Sequence, residues 1–380
     1  MRTPVRFLPA ICLLLLSVQS AMSKTAQHQT QHGPITVEDI AEFNRPWGMA
    51  FVTPSSALVT ERIGSLWLVN IKTGKKVKVS KPPRAQVEGQ GGLLDVALHP
   101  DFKNNGWVYF TLARQVKGGS GTAVVRAKLT GLNSEEPTLT DHQLLYQVKP
   151  SSASHHFGSR IAFAPDGTFY VTFGDHGERP RAQDTSNASG SVIRLLADGA
   201  NPADNPAFAP TSGSARDGLW SIGHRNPQGA AIHPLTGKLW TVEHGARGGD
   251  EINRPEAGKN YGWPTISYGK HYTGGKIGKG SAADGMEQPV YYWDPSIAPS
   301  GLAFYSGTLF PHWQNSLFVG ALKHKKLIRL TVIGGEVTGE EILLENAYGR
   351  IRDVSSGPNG ALWLLTDFSK GKLLRISPTK

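Results

Sequence analysis

The stretch SSASHHFGSRIAFAPDGTFYVTFGDHG, residues Ser151–Gly177, joins a unique half to a repeated half. The repeated half predicts a strand, a tight turn at Asp166-Gly167 and a returning strand, because two short apolar runs around an Asp-Gly pair are typical of a β-hairpin. Patterns like IAFAPDG recur along the chain, which indicates an architectural unit. The preceding SHHFGSR segment does not recur, so we interpret it as a candidate for chemistry.

Five further copies of the hairpin make six in total, and their centres are spaced by about 47 to 72 positions, which is the interval of one four-stranded blade with loops of varying length. The other copies begin at Gly48, Asp95, Gly229, Gly301 and Asp353. No convincing helical period follows the first 23 residues. We therefore predict an all-β fold, a six-bladed β-propeller of four-stranded antiparallel sheets. The terminal strand Lys372–Ile376 is available to close the ring, which would bury the sheet edges.

The first 23 residues predict a cleaved secretory signal peptide. Arg2 and Arg6 form its basic start, and Phe7–Val18 form an apolar run that is too short to span a bilayer. The single cysteine, Cys12, lies in this run, so the mature chain would have no disulfide, thiolate metal site or cysteine nucleophile. We predict export to the periplasm or the exterior, without membrane insertion of the mature chain.

A chain of 380 residues can hold one large repeat fold or several ordinary domains, and the repeats favour the first. Residues 24–36 are polar and predict a flexible leader, so the propeller domain is expected over residues 37–380. The formal net charge is +10, but lysine and arginine are scattered, which gives a nucleic-acid surface little support. The positive balance is compatible with a small anionic ligand or with no particular partner.

His155 and His156 are the first candidates for chemistry. Neighbouring side chains on an extended segment point in opposite directions, so one of the two should face the centre of the ring. A neutral imidazole can accept a proton from a hydroxyl, which is general-base chemistry. Because no GxSxG motif is present, acyl transfer has little support.

Gln90, among three glycines, belongs either to a plain turn or to the mouth of the central channel of the predicted propeller.

Two further unrepeated segments carry polar residues. In IGHRNPQG, Arg225 can grip a carboxylate and Asn226 offers both a donor and an acceptor, although the segment is also compatible with a plain turn. In EHGARGGDEINRPEAGKNYGWP, glycine-rich backbone adjoins Asp250 and Glu251, and such oxygen atoms suit a hard cation such as calcium. The spacing is not that of an EF-hand, and the absence of cysteine argues against structural zinc.

Lysine and arginine near the C-terminus suggest an anion site. Arg350 and Arg352 alternate on an apparent strand and so share one face. Like charges side by side destabilise a sheet unless an acid or an anion lies against them. The alternatives are a plain surface face, or an anion held in the middle of the ring by cations from different blades, namely Arg225, Lys323, Arg350 and Arg352.

Six ordered motifs resemble those of the soluble pyrroloquinoline quinone (PQQ) dependent sugar dehydrogenases, the glucose/sorbosone dehydrogenase family, and especially the periplasmic aldose sugar dehydrogenases. The motifs are GQGGLLDVALHPDF, HHFGSRIAFAPDG, GHRNPQG, HGARGGDEIN with GKNYGWP, LKHKKLIRL and GRIRDV. The resemblance extends from about Val37 to the C-terminus. It implies a six-bladed propeller, which agrees with the repeat count.

The resemblance also implies roles for individual residues, with His156 as the general base. The implied cofactor-binding residues are Gln90, Arg160, Arg225, Asn226, Lys323, Arg350 and Arg352. Calcium beside the cofactor would be held by the carbonyls of Gly245 and Ala246, the latter replacing a proline of some relatives. A second calcium would be held by Glu251 and the carbonyl of Tyr261. His155 stands where some relatives have an aspartate, so its role stays open.

The implied activity is the PQQ- and calcium-dependent oxidation of aldose sugars at the anomeric carbon to lactones, with hydride passing to PQQ. The chain lacks the long insertion that mediates dimer contacts in the bacterial glucose-specific enzyme, so a monomer is expected. Two alternatives remain, a calcium-dependent lactonase or esterase and a non-catalytic binding propeller. The sequence does not indicate the preferred sugar or the electron acceptor.

Overall fold

Six antiparallel sheets surround a central axis in the computed structural model, which describes residues 24–379. The innermost strand of each sheet contacts the innermost strand of the next, and the sixth contacts the first. The sheets therefore form the six-bladed β-propeller that the hairpin repeats predict. The predicted signal peptide, including Cys12, lies outside the described residues. None of the helices in the described part of the chain is long and apolar enough to cross a membrane.

The first half of the chain forms blades 1 to 3 and part of blade 6. Its strands are β1 (Thr25–Thr30), β2 (Gly33–Phe43), β3 (Pro46–Thr53), β4 (Ser56–Glu61), β5 (Ser65–Asn70), β6 (Lys76–Lys78), β7 (Leu93–Leu98), β8 (Trp107–Val116), β9 (Gly119–Thr130), β10 (Thr138–Gln147), β11 (Ile161–Phe163), β12 (Phe169–Thr172), β13 (Ser191–Leu195) and β14 (Leu219–Ile222). A single helical turn, α1 (Phe102–Asn105), precedes β8, and a 3-10 turn spans Arg179–Gln183. From the axis outward, the blades are β3-β4-β5-β6, β7-β8-β9-β10 and β11-β12-β13-β14.

The second half forms blades 4 to 6. Its strands are β15 (Pro227–Ile232), β16 (Leu239–Glu243), β17 (Asp250–Asn253), β18 (Lys259–Asn260), β19 (Tyr291–Trp293), β20 (Pro299–Phe304), β21 (Leu317–Ala321), β22 (Lys326–Ile333), β23 (Glu336–Leu343), β24 (Ile351–Ser356), β25 (Leu362–Thr366) and β26 (Gly371–Pro378). A 3-10 turn spans Pro311–Trp313. Blade 4 is β15-β16-β17-β19, blade 5 is β20-β21-β22-β23 and blade 6 is β24-β25-β26-β2-β1, while β18 adds to blade 3 in parallel with β14.

Each predicted hairpin is the innermost strand pair of one blade. The closing strand is also confirmed, because β26 pairs with β2 from the N-terminal end, with Ile376 opposite Val37. Apolar side chains pack between neighbouring sheets, as Leu58 of blade 1 does with Phe110 of blade 2. Both faces of a blade are therefore buried, which explains the nearly continuous apolar runs in the sequence.

The segment expected to be a flexible leader, residues 24–36, is instead part of blade 6. Its β1 pairs with β2 in antiparallel register from Thr25 to Thr30. The His28 Nε2 atom lies 3.0 Å from the Tyr348 hydroxyl, and the Gln31 backbone N–H donates to Glu341. Because backbone pairing at a sheet edge needs no apolar side chain, the polar composition did not reveal this strand.

Buried threonine hydroxyls join successive blades near the start of their innermost strands. The Oγ1 atoms of Thr60, Thr111 and Thr172 donate to the backbone oxygens of Leu94, Ser159 and Pro227 at 2.6, 2.7 and 3.0 Å. Each threonine stands on the second strand of its blade, and each acceptor belongs to the next blade or to the segment that leads into it. The hydroxyls therefore fix neighbouring blades relative to each other at one end of the axis.

We expect Thr111→Val to destabilise the ring by about 1–3 kcal/mol, because a buried carbonyl and a buried N–H would lose their partner together. The Thr111 hydroxyl donates to Ser159 and accepts from the Asp95 backbone N–H at 3.0 Å. Thermal unfolding followed by circular dichroism measures the effect. Thr338→Val on the exposed part of β23 is the matched control. Equal unfolding temperatures for the two variants would contradict the bridging role.

Candidate functional site

A cavity of about 510 Å³ lies at the end of the axis where the innermost strands begin. All six blades or the segments leading into them contribute to its wall, through residues that include Trp47, Leu94, Phe157, Gln228, Ala298 and Arg352. Of the predicted site residues, Gln90, Arg350 and Arg352 line it. The propeller thus brings together positions more than two hundred residues apart in the sequence.

Arg160 holds the axis together beside this cavity. Its Nη1 atom lies 2.8 Å from Asp353 Oδ1 and 3.1 Å from Asp95 Oδ1. The Nε and Nη2 atoms donate to the backbone oxygens of Gln228 and Arg352. Its buried guanidinium also stacks on Trp47, 4.3 Å from the ring centroid. Because Nε, Nη1 and Nη2 each contact a protein oxygen, Arg160, a predicted cofactor ligand, supports the wall of the cavity from within.

Asp95 and Asp353, the two acids that share Arg160, have raised pKa values because they are buried. Burial raises the pKa of Asp353 to about 6 although Arg160 lowers it, and the nearby Asp95 raises it further. Burial also raises the pKa of Asp95. One guanidinium thus serves two buried carboxylates, and removing it would leave both without their cation.

Four arginines line the cavity, Arg45, Arg62, Arg350 and Arg352, together with a single carboxylate, Asp367. The Asp367 Oδ2 atom lies 3.0 Å from Arg350 Nη2 and 2.9 Å from Arg352 Nη2. Burial opposes its ionisation, but these two arginines outweigh burial and lower its pKa to about 2. Four guanidinium groups and one carboxylate leave the lining with a formal charge of +3. Such a lining suits a ligand with several negative charges.

The His156 imidazole stands beside the cavity and is held by a carboxylate. Its Nδ1 atom lies 2.7 Å from Asp175 Oδ1, and its backbone N–H donates to Gln90 Oε1 at 2.9 Å. Asp175 is completely buried and also accepts from the Trp263 indole N–H at 2.8 Å. Since Nδ1–H donates to Asp175 in this arrangement, Nε2 is left as the proton acceptor.

The surroundings of His156 keep its imidazole neutral. Burial lowers the pKa of His156, the hydrogen bond to Asp175 raises it, and the charge of Arg225 lowers it again. The net direction is downward, so the neutral form persists below the ordinary pKa of histidine. His155 contacts His156 edge to face, with 4.5 Å between the ring centroids. The arrangement can therefore act as a general base near neutral pH.

The predicted pair Arg225 and Asn226 divides between two environments. The Arg225 guanidinium lies 5.3 Å from the Trp263 ring centroid, and its Nη1 donates to the His244 backbone oxygen. The buried Asn226 side chain accepts from the Gly158 backbone N–H at 3.1 Å and from Gln228 Nε2 at 3.2 Å. Asn226 therefore braces the cavity wall, whereas Arg225 places a positive charge close to His156.

A buried Ser-His-Glu chain fixes the segment that carries Arg225. Ser221 Oγ lies 2.9 Å from His224 Nε2, and His224 Nδ1 lies 2.8 Å from Glu243 Oε1. The other Glu243 oxygen accepts from the Arg225 backbone N–H at 2.6 Å. Ser221 and His224 are completely buried. The geometry resembles a hydrolytic triad, but no substrate reaches the hydroxyl, so its effect is to position Arg225.

Lys323 lies in the exposed turn between β21 and β22 and does not line the cavity, although Leu322 does. Its backbone N–H donates to Ile297 at 3.1 Å. Within residues 24–379, its ammonium group has no hydrogen-bond or ion-pair partner. The ammonium is therefore a free cation at the end of the axis that carries the cavity.

The residues predicted to bind calcium flank a glycine-rich loop. The Gly245 backbone N–H donates to Asp250 Oδ1 at 2.8 Å, and the Ala246 oxygen accepts from the Lys270 backbone N–H. Across residues 24–379 no three histidine, cysteine, aspartate or glutamate side chains are grouped for a metal ion. A calcium site here would therefore depend on backbone and amide oxygens in addition to Glu251.

The environment of Glu251 fits a cation. Burial, followed by the charge of Glu243, raises the pKa of Glu251 well above its ordinary value. The Asn253 amide group donates to both carboxylates, at 3.3 Å to Glu251 and 3.0 Å to Glu243. Its Oδ1 atom is buried and has no donor within the described residues. Crowded acidic and amide oxygens of this kind are the chemistry of a hard-cation site.

Sequence reasoning missed Asp175 and Asp367, which hold His156 and the arginines, and it also missed Arg45 and Arg62. The two acids had a common signal, since each follows the second strand of its blade within three residues. Arg45 and Arg62 had a weaker one, because they flank the first predicted hairpin at its open end. None of the four stood out in the sequence as a candidate, and only the closed ring brings Asp367 of blade 6 together with Arg45 and Arg62 of blade 1.

A profile of the Glucose / Sorbosone dehydrogenase family matches residues 43–375. The chain is 43% identical over 342 residues to aldose sugar dehydrogenase YliI of Escherichia coli, covering 89% of this chain and 91% of that protein. It superimposes on the apo-form crystal structure of the soluble Escherichia coli aldose sugar dehydrogenase with a TM-score of 0.86, at 41% identity and 91% and 100% coverage. A PQQ-bound aldose sugar dehydrogenase structure from Streptomyces coelicolor gives 0.74, at 28% identity and 90% and 98% coverage.

Acid should destabilise the protein through His176, which is fully buried against Phe157. Burial lowers the pKa of His176 to about 4. As the pH falls from 7 to 5, the unfolded chain binds a proton at this histidine that the folded chain does not, which removes about 2 kcal/mol of stability. Further loss follows until the pH reaches the folded value.

We therefore expect the unfolding temperature of His176→Asn to fall less between pH 7 and pH 5 than that of the wild type. Thermal unfolding at both pH values measures the difference. His142→Asn, at an exposed histidine, should lose as much as the wild type. The same loss in all three proteins would show that His176 is not the group responsible.

Proposed function

The chain belongs to the glucose/sorbosone dehydrogenase family, and from this premise we propose that it oxidises aldose sugars at the anomeric carbon to lactones, with PQQ as the hydride acceptor. The observation that carries the proposal is the cavity lined by four arginines and one carboxylate, whose lining residue Gln90 accepts from the backbone N–H of His156, the partner of Asp175. A basic cavity beside a neutral imidazole is what an acidic quinone and a hydroxyl substrate require together.

The volume and the charge of the cavity are compatible with PQQ. PQQ is a flat ortho-quinone with three carboxylates, and the lining has a formal charge of +3 in a volume of about 510 Å³. The buried Nε atom of Arg352 has no acceptor within the described residues, so it retains a donor for an anion. Gln90, Arg350 and Arg352 would hold the cofactor, with Arg225 beside it. When bound, PQQ supplies a centre that accepts two electrons as hydride.

The proton transfer belongs to His156. Its Nε2 would take the proton of the anomeric hydroxyl while the hydrogen on the anomeric carbon leaves as hydride with both electrons of its bond. The remaining oxygen and carbon form the carbonyl of the lactone. Asp175 stabilises the imidazolium that results, since its carboxylate accepts from Nδ1 at 2.7 Å. The lowered pKa of His156 keeps the base neutral before the reaction.

The other predicted cofactor residues receive different roles in this proposal. Arg160 supports the wall through its hydrogen bonds there, and the Asn226 Oδ1 atom supports it by accepting from the Gly158 N–H. Lys323 remains a proposed cofactor contact, since it follows Leu322 of the cavity wall and its ammonium is free within residues 24–379. A long flexible lysine can reach a carboxylate that a shorter side chain cannot.

Calcium completes the proposed centre. The carbonyls of Gly245 and Ala246 would hold one ion, and Glu251 with the Tyr261 carbonyl would hold a second. The partly buried Glu251 and the unpartnered Asn253 oxygen support an ion at the second position. Calcium, when bound beside a quinone, supplies Lewis-acid polarisation.

The competing functions have less support in the geometry. A calcium-dependent lactonase would need acidic and amide side chains converging at the channel centre, where this chain has arginines. The serine of the Ser221–His224–Glu243 chain is inaccessible to substrate. A purely binding propeller does not account for an oriented, neutral imidazole beside the cavity. We further propose that the protein acts as a monomer in the periplasm or outside the cell, after removal of residues 1–23.

We expect His156→Asn to lose about 10²–10⁴-fold in kcat, because the general base would be missing. Asparagine tolerates the positive φ of 55° at this position, so the backbone is kept. A dye-linked assay with an aldose, PQQ and calcium measures kcat, and quenching of tryptophan fluorescence measures PQQ affinity, which should stay near the wild-type value. His312→Asn at an exposed position is the control. A near wild-type kcat for His156→Asn would exclude this histidine as the base.

Calcium should raise the unfolding temperature of protein treated with a chelator, because a ligand that binds only the folded state stabilises it. Glu251→Gln should reduce this increase, since one charged ligand of the second ion is lost. Glu256→Gln, which removes an exposed carboxylate nearby, should keep the full increase. An unfolding temperature that does not respond to calcium in the wild type would contradict both proposed ion sites.

A further inference from the structure

Blade 1 contributes two cations to the cavity that lie outside every motif of the sequence analysis. Arg45 directly precedes β3 and Arg62 directly follows β4. Both residues line the cavity, as do Arg350 and Arg352 of blade 6, which lie near the other end of the sequence. Arg45 is exposed, and Arg62 is partly buried.

The hairpin places these two arginines side by side. Pro46 pairs with Glu61 at its open end, and the Arg62 backbone N–H donates to the Arg45 oxygen at 2.9 Å. Two like charges at neighbouring positions of a sheet repel each other unless an anion lies between them. The arrangement therefore has an electrostatic cost that a bound anion would remove.

The Arg62 side chain is held toward the loop that carries Gln90. Its Nη1 atom donates to the Gly89 backbone oxygen, and its own backbone oxygen accepts from the Leu93 N–H at 3.2 Å. At Gly92 an added Cβ would lie 1.9 Å from the Arg62 oxygen, so only glycine allows this close approach. The guanidinium is thus fixed on the same wall that supports the His156 backbone.

Neither arginine has an acidic partner of its own. The one carboxylate of the cavity, Asp367, is already bound by Arg350 and Arg352. Within residues 24–379, no ion pair is formed by Arg45 or Arg62. Burial lowers the pKa of Arg62, Asp367 raises it, and Arg45 and Arg352 lower it, so these three charged groups act on Arg62.

We propose that Arg45 and Arg62 form a second carboxylate-binding arm of the cofactor site, facing the arm formed by Arg350 and Arg352. The inference rests on the proposed binding of PQQ and extends it to blade 1. Without the blade 1 pair, the charged lining residues Arg350, Arg352 and Asp367 carry a formal charge of only +1, so Lys323, Arg225 and calcium would have to match the rest of the cofactor's charge. With the pair, the lining alone has a formal charge of +3, equal in size to the charge of three carboxylates.

The test is a PQQ titration of the full-length mature protein in calcium, followed by tryptophan fluorescence quenching and repeated at several salt concentrations. We expect Arg62→Gln to weaken PQQ binding at least about tenfold, as is usual for a lost charge-assisted hydrogen bond. Arg45→Gln, at the exposed position, should weaken binding by about two- to fivefold, and mainly at low salt. Arg62→Lys should restore part of the loss because it keeps the charge.

Arg254→Gln removes one positive charge from a different cavity and is the matched control. It should bind PQQ as the wild type does, and thermal unfolding confirms that every variant is folded. Wild-type affinity in both Arg62→Gln and Arg45→Gln would overturn the second arm while leaving the proposed function intact. A wild-type protein that does not bind PQQ would overturn both. If Arg254→Gln weakened PQQ binding as much as Arg62→Gln does, the loss would come from net charge alone, and this result would also contradict the proposed second arm.

Discussion

The Arg160 guanidinium at the axis is the contact on which the arrangement of the site depends. From the start of blade 3, it reaches Asp95 of blade 2, Asp353 of blade 6 and the Gln228 backbone of blade 4, and it stacks on Trp47 of blade 1. A buried charge must be paired and hydrogen-bonded, so these strands cannot move apart without leaving charges unpaired. The Arg160 contacts therefore hold the ring together at its centre and also fix the positions of the residues that form the cavity wall.

The chemistry of the site follows from the positive charges that the Arg160 interaction does not include. Arg160 and its acids use each other, whereas the arginines that line the cavity greatly outnumber their one acid, Asp367. On the neighbouring wall, Asp175 fixes the tautomer of His156 while burial keeps the imidazole neutral. In the proposed reaction, a site with excess positive charge and a neutral base would separate two tasks, because the cations would hold an acidic cofactor and the base would stay free for a hydroxyl proton. This division is consistent with oxidation of an aldose by a bound quinone.

The repeated part of the molecule was predictable, and much of the unrepeated part was not. Apolar runs around Gly-containing turns identified all six hairpins and the closing strand, because period and turn chemistry are local. A polar edge strand has neither signal, so β1 was missed. Resemblance indicated His156, Arg350 and Arg352, but it could not show that the Arg160 guanidinium pairs with Asp95 and Asp353 inside the wall. Asp367, Arg45 and Arg62 become a site only after ring closure brings blades 6 and 1 together, which sequence spacing does not encode.

The central claim is that one cavity holds an acidic quinone next to a base that can deprotonate a sugar. The most direct measurement is the absorbance spectrum of the protein loaded with one equivalent of PQQ and calcium, recorded without oxygen before and after an aldose is added. We expect the bound quinone to become fully reduced and one equivalent of lactone to appear. A spectrum that stays oxidised in the presence of aldoses, with PQQ demonstrably bound, would contradict it.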